Sequence, residues 1–192
     1  MSLAERLAAA LRPAPDDLIE GDGHLLDEAE PRDAAVLVAV TDRPRPGVIL
    51  TQRRADLRLH AGQVAFPGGR IDEGETAPQA ALREAWEEIA LDPAAVALVA
   101  AIDRYRTVTG YTVTPVLAAV PPDLPLVANP GEVADWFEVP LDHLLDPANQ
   151  QRRSAMFRGA ERRYVEIMWQ DKRIWGATAA MIVNLSRRLD WR

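Results

Sequence analysis

The chain has 192 residues, 48% of them apolar and 27% charged, a balance that suits one globular domain with a full core and excludes wholesale disorder. Its formal net charge of −7 makes it a poor generic binder of nucleic acid or anionic membrane, so an anionic substrate would need a metal ion or an arginine cluster to reverse the local field. It has no cysteine, which rules out a disulfide framework and a thiolate nucleophile and fits a cytoplasmic protein.

The opening stretch MSLAERLAAALRPAP is too charged, with too short an apolar run, to read as a secretory signal, and no stretch approaches membrane-spanning length. SLAERLAAALR reads instead as a short amphipathic helix, with Ser2 and Glu5 as a capping box and Pro13 and Pro15 beyond its end. Residues 16–33 are acidic and aperiodic, a surface connection. The expected organisation is therefore a single domain over 1–192, with 1–33 peripheral and the core from about residue 34 onward. The run AAVLVAV is apolar throughout, as a buried strand is, and RPRPG turns the chain into a second strand, VILTQR. QVAF is a short strand leading into a Pro67-Gly68-Gly69 turn. An acidic helix follows, then two strands, VALVAAIDRYRT and YTVTPVLAAV, joined across Thr109-Gly110. DWFEV reads as a strand and VPLDHLL as a short helix. RYVEIMW and RIWG flank Gln170-Asp171-Lys172 as a hairpin, and TAAMIVNLSRRLDW closes the chain as an amphipathic helix capped by Thr178. Strands outnumber helices and alternate with them irregularly, which predicts a mixed sheet covered by a few helices.

The acidic helix carries the chemistry. Thr76 and Gln79 form a T-x-x-Q capping box, Pro78 sits in the first turn, and Pro93 sets the stop by forcing Asp92 out of helical geometry. Helical spacing stacks Leu82, Ala85, Trp86 and Ile89 on one face and Glu84, Glu87 and Glu88 on the other. Like charges so placed cost about 0.2–0.5 kcal/mol per pair, and a bare E-x-x-E-E reads as a solvated face. Two features favour another reading. Arg83 is the only cation between Arg70 and Arg104, placed to meet Glu87 or Glu75. The glycines ahead of the helix would let backbone fold close over the acidic face. Carboxylates plus a backbone carbonyl make an all-oxygen site suited to a hard cation, Mg²⁺ or Mn²⁺, and such a cation holds diphosphates.

The same stretch resembles the Nudix box, G-x5-E-x7-R-E-U-x-E-E-x-G-U, through Gly69, Glu75, Arg83-Glu84, Glu87-Glu88 and Leu91. Ala85 is small for its slot, and Ala90 stands where the pattern has glycine. The resemblance implies an α/β (α+β) fold, a mixed sheet sandwiched between helices (αβα), with the box as a loop–helix–loop. It implies Glu84 and Glu88 as principal metal ligands, completed by Glu87 and the Gly68 carbonyl, with Arg83 and Glu75 pairing structurally. Upstream, ILTQRRADLRLHAGQVAFPGG is similar to the segment preceding the box in the coenzyme A pyrophosphatase branch, through Thr51, Arg53, Arg58, Gly62 and Phe66 to Gly69; Arg54 departs from it.

Arg53 and Arg58 are read as phosphate grips flanking the metal turn, with Arg104 and Arg106 having a similar but weaker case. Glu132, in a Pro-Gly loop before a strand, is read as a further ligand or as the base, alongside Glu87 and Glu88, or else as one more surface carboxylate. His60 reads as a loop residue in preference to a general base, and His143 as structural. The expected function is metal-dependent hydrolysis of a nucleoside diphosphate derivative, coenzyme A or a thioester favoured, with ADP-ribose or a dinucleotide as alternatives. A non-catalytic nucleotide-binding module has no need of the three glutamates, and a nucleic-acid substrate fits poorly with the net charge.

Overall fold

The computed structural model describes residues 1–21, 31–54, 62–157 and 159–191. In chain order its elements are α1 (Leu3–Ala10), β1 (Arg32–Thr41), β2 (Gly47–Arg53), β3 (Val64–Ala65), β4 (Gly68–Arg70), α2 (Ala77–Ile89), β5 (Ala97–Ala101), β6 (Tyr105–Arg106) and β7 (Tyr111–Val120). They continue with β8 (Val133–Pro140), α3 (Leu141–Leu145), β9 (Gln151–Phe157), β10 (Ala160–Trp169), β11 (Lys172–Trp175) and α4 (Ala177–Arg188).

The strands with unbroken apolar runs lie at the centre, because they are covered on both faces. β1 pairs in parallel with β7 from Arg32–Tyr111 to Thr41–Val120, and antiparallel with β2. The main path is β3-β2-β1-β7-β5, with β4 on β1, β6 on β7 and β8 on β2. Alternate residues of β1 serve two cores. Ala35, Leu37 and Ala39 meet Ala80, Ala81, Ala85 and Ile89 of α2, where small side chains on both sides permit close approach. Val38 and Val40 point the other way, into a core shared with Leu3 and Leu7 of α1, Leu141 and Leu144 of α3, and α4. The result is the expected helix–sheet–helix sandwich, with α1 part of the second core rather than lying outside it. Among the described residues no helix is long and apolar enough to cross a membrane.

Several local expectations are corrected. Gly68 and Gly69 are strand, not turn: they pair with Val36 and Ala35 of β1. The α2 helix stops at Ile89, before Pro93, because Ala90 takes the left-handed conformation at φ 55°. Trp86, expected on the core face, is 53% exposed, because α2 is rotated so that Ala81, Ala85 and Glu88 face inward. Thr178 is not the cap of α4. Gly176 holds that position, and the Thr178 hydroxyl donates to the Val64 carbonyl at 3.1 Å, joining α4 to β3. The stretch 96–107 divides into β5 and β6. Strand β9 was not foreseen: QRRSAMF has no apolar alternation, because Gln151 to Met156 are all exposed. It forms with β10 and β11 a separate three-stranded sheet, in the order β11-β10-β9.

Candidate active site

The site is built where α2 crosses β4. The Thr76 hydroxyl accepts from the Gln79 amide, and the Gln79 side chain accepts from the Thr76 amide at 2.9 Å, so the helix starts at a defined residue. Its register puts Arg83, Glu84, Glu87 and Glu88 on successive turns beside the glycine strand. Close approach is what requires these glycines. A Cβ on Gly69 would lie 2.4–2.5 Å from the Glu84 carboxyl atoms, and one on Gly68 would lie 2.4 Å from the Ala35 carbonyl oxygen.

The three glutamates are not equivalent. Glu87 is exposed, the Glu84 side chain is 16% exposed, and Glu88 is buried at 3%. Periodicity placed all three on the outer face; packing draws Glu88 into the crease between α2, β4 and β2. There Glu88 Oε2 accepts from the Gly68 amide at 3.1 Å, and Oε1 lies 4.0 Å from Arg53 Nη1. The Gly68 contact to Glu88 thus runs through the Gly68 amide. Burial pushes the Glu88 carboxyl up to about 7, opposed by the Gly68 amide and Arg53 and reinforced by Glu84 and Glu132. Burial also raises Glu84, against the pull of Arg83.

Arg83 holds the box together. Its Nε and Nη2 grip both oxygens of Glu75 at 2.8 and 3.0 Å, and Nη2 also donates to the Arg70 carbonyl at 2.9 Å. Nη1 donates to Glu84 at 2.8 Å and to Glu87 at 3.3 Å. Glu75 also accepts from the Asp72 amide, and the two contacts, the guanidinium foremost, hold its carboxyl down at about 2. Arg83 therefore meets both of the partners its position allowed, and the loop from Arg70 to Glu75 is pinned to the helix.

The chain before β8 closes the far side. Val127 and Asn129 donate their amides to the carbonyls of Ile89 at 3.0 Å and Glu88 at 2.8 Å, groups that a helix end leaves without intrahelical partners. This attachment, which the sequence reading missed, brings the Glu132 carboxylate close enough to raise the proton affinity of both Glu84 and Glu88. The Asn-Pro-Gly run was its one visible signal: the Asn129 side chain accepts from the Gly131 amide at 3.0 Å. Arg53 is at the site, and its buried Nε has no hydrogen-bond partner among the described residues. Arg104 is elsewhere. It is held by Asp33 at 2.6 Å and, among the described residues, makes no ion pair or hydrogen bond to a box glutamate. Arg58 and His60 lie outside the described residues. His143 packs edge-on against Trp169, a structural setting.

Among the described residues no three acidic or histidine side chains stand together as a ready metal cage, since Arg83 engages Glu84 and Glu87 while the Gly68 amide engages Glu88. The donor set nevertheless fits a hard divalent cation: all oxygen, anionic, partly desolvated, and kept clear of side-chain bulk at Gly69.

The arrangement agrees with what the chain is similar to. A family model described as NUDIX domain matches residues 31–158. Over 160 residues the chain is 44% identical to a protein of Escherichia coli (strain K12) named uncharacterized Nudix hydrolase NudL, covering 82% of this chain and 83% of that one. The protein of that name from Shigella boydii serotype 4 is equally similar, at 44% over 160 residues. Among solved structures, the Nudix hydrolase RenU from M. smegmatis superposes with a TM-score of 0.51 at 29% identity, covering 58% of this chain and 72% of that one. A MutT/nudix family protein from Enterococcus faecalis shares the fold at TM-score 0.51 and 15% identity, over 84% of this chain and 62% of its own.

Proposed function

The chain belongs to the Nudix hydrolase family, which acts on phosphoanhydride bonds, and from that premise we propose that it cleaves the diphosphate of coenzyme A or a coenzyme A thioester. The products would be 3′,5′-ADP and 4′-phosphopantetheine or its acyl form. The observation that carries the catalytic half of this reading is the passage of Gly68 and Gly69 over Glu84 and Glu88, with an amide on one carboxylate and no room for a Cβ above the other. The substrate half rests on the segment from Thr51 through Arg53 and Gly62 to Gly69.

Glu84 and Glu88 would be the principal ligands of Mg²⁺ or Mn²⁺, with Glu87 and the Gly68 carbonyl completing the set. A cation bound there would neutralise the diphosphate and make a ligated water more acidic. The chain's own groups do the rest. Arg83 and Glu75 keep the loop against α2, so the carboxylates are positioned before substrate arrives. Arg53, whose buried Nε has no hydrogen-bond partner among the described residues, offers a guanidinium to a phosphate oxygen. Glu132 faces Glu84 and Glu88 with no ion pair among the described residues, and it accepts the proton as the water oxygen bonds to one phosphorus and the bridging oxygen leaves with the other phosphate. Glu87 and Glu88 are the other candidates for this base. Arg58 joins Arg53 in this reading as a grip on the 3′-phosphate, whereas Arg104, tied to Asp33, has the weaker case. Residues 1–192 act as one domain, and the cysteine-free composition supports a cytoplasmic setting.

The test is hydrolysis of coenzyme A, ADP-ribose, NADH and dNTPs with Mg²⁺ or Mn²⁺. Coenzyme A is expected to show the highest kcat/KM. A clear preference for another member would replace the substrate and leave the chemistry in place. Unchanged turnover in both Glu84→Gln and Glu88→Gln would end the metal-cradle reading.

A further inference from the structure

The face of the main sheet away from α2 carries a second feature, a cleft of about 820 Å³ between the β9–β10 pair and α4. That volume suits a small organic ligand. Its apolar wall includes Ile19, Val165 and Ala180, which belong to or pack on the core shared with α4, together with the buried Val183 of that helix. Ile19 is fixed there by Asn184, which accepts from its amide at 2.8 Å and donates to its carbonyl at 2.9 Å. The polar side is arginine-rich. Four arginines and two carboxylates line the cleft, in a chain whose net charge is −7.

Two of those arginines are already engaged. Arg187 lies 3.5 Å from the Asp17 carboxylate, and Arg153 donates to Glu166 at 3.2 Å. The side chains of Arg152 and Arg163 make no ion pair or hydrogen bond among the described residues. Strand pairing sets Arg152 opposite Val165 and Arg163 opposite Ser154, so both project from one face of the hairpin as diagonal neighbours. Diagonal Cβ atoms stand about 7–8 Å apart, within reach of two long side chains converging on one anion. Glu161 occupies the same face, opposite Met156, and is a nearby repulsive charge for such an anion.

We propose that this cleft is a binding site for a small phosphate monoester with an apolar body, its phosphate held by Arg152 and Arg163 and its body against Val165, Ala180 and Val183. Guanidinium forks match phosphate oxygens in geometry and charge. Pairing them with a dianion relieves a local excess of like charge, and the apolar wall adds burial that inorganic phosphate cannot use.

Phenyl phosphate serves as the probe, titrated calorimetrically into the full chain in EDTA, with inorganic phosphate and phenol as the other arms. Phenyl phosphate is expected to bind with Kd below about 1 mM and more tightly than either fragment. The Arg152→Ala/Arg163→Ala double variant should weaken it at least about tenfold, and Glu161→Gln should tighten it by about twofold or more. Binding should persist in Glu84→Gln/Glu88→Gln, which separates this cleft from the acidic site, and the hydrolysis panel reports on that site independently. No phenyl phosphate binding overturns the proposal. So does affinity unchanged in the double variant, phenol binding as well as phenyl phosphate, or a change of oligomeric state in the double variant without phosphate binding, which would make the face an interface between copies.

Discussion

Replacing Glu88 with glutamine should stabilise the metal-free protein at high pH while abolishing its activity. Glu88 is 3% exposed, and burial raises its carboxyl from the ordinary 4.5 to about 7. Because the folded value lies above the unfolded one, the protonated carboxyl stabilises the fold fully below pH 4.5, and this contribution is lost as pH rises through about 7. At about 1.4 kcal/mol per tenfold change in proton affinity, the two values predict a loss of about 2–3 kcal/mol between pH 5 and pH 8. Glutamine does not titrate, keeps an oxygen for the Gly68 amide, and gives up only the distant Arg53 contact at 4.0 Å. The variant should therefore gain about 2–3 kcal/mol on wild type in going from pH 5 to pH 8, or about 5–10 °C in Tm for a chain of this size. Thermal melts of EDTA-treated protein at the two pH values measure this directly. Turnover in Mg²⁺ should fall by roughly a hundredfold or more, the scale of removing one group that supports developing charge. A pH-independent stability difference, or a variant less stable than wild type at pH 8, would refute the buried-carboxylate argument. Retained turnover would remove Glu88 from the machinery.

Three other perturbations follow from the same geometry. Ala90→Gly should stabilise the protein by about 0.5–1 kcal/mol, because Ala90 holds φ 55° at the end of α2, where glycine carries no Cβ penalty; a lower urea midpoint would contradict this. Gly69→Ala should depress turnover at little cost in stability, since its Cβ would meet the Glu84 carboxyl at 2.4–2.5 Å and that flexible side chain would move aside; wild-type kinetics would count against the close approach. Arg83→Ala should lower stability at neutral pH by an amount that shrinks in acid. Glu75 is held at about 2, below its ordinary 4.5, so the pair's contribution is present above pH 4.5 and disappears as pH falls through about 2; an acid-insensitive difference between variant and wild type would count against the pairing.

What the chain order of residues determined by itself is the set of features governed by local physics. The capping boxes at Ser2 and Thr76, the strand character of 34–40 and the acidic repeat of α2 each depend on neighbours within a few residues, and the box pattern of Gly69, Glu75 and Arg83 to Glu88 was legible for the same reason. Features that depend on which surface meets which were decided only by tertiary structure. The rotation of α2, set by alanines on β1 and on the helix, exposed Trp86 and buried Glu88, reversing both assignments and giving three similar glutamates three environments. Strand β9 forms through pairing with β10, since its side chains from Gln151 to Met156 stay in solvent and leave no periodic trace. Arg104 and Arg53 read alike in sequence, yet one is held by Asp33 and the other lies against Glu88, because Arg53 ends strand β2 while Arg104 lies in the connection between β5 and β6. The Glu132 carboxylate reaches the site because backbone amides 127 and 129 satisfy the last carbonyls of α2, a long-range bond that backbone groups make whatever their side chains.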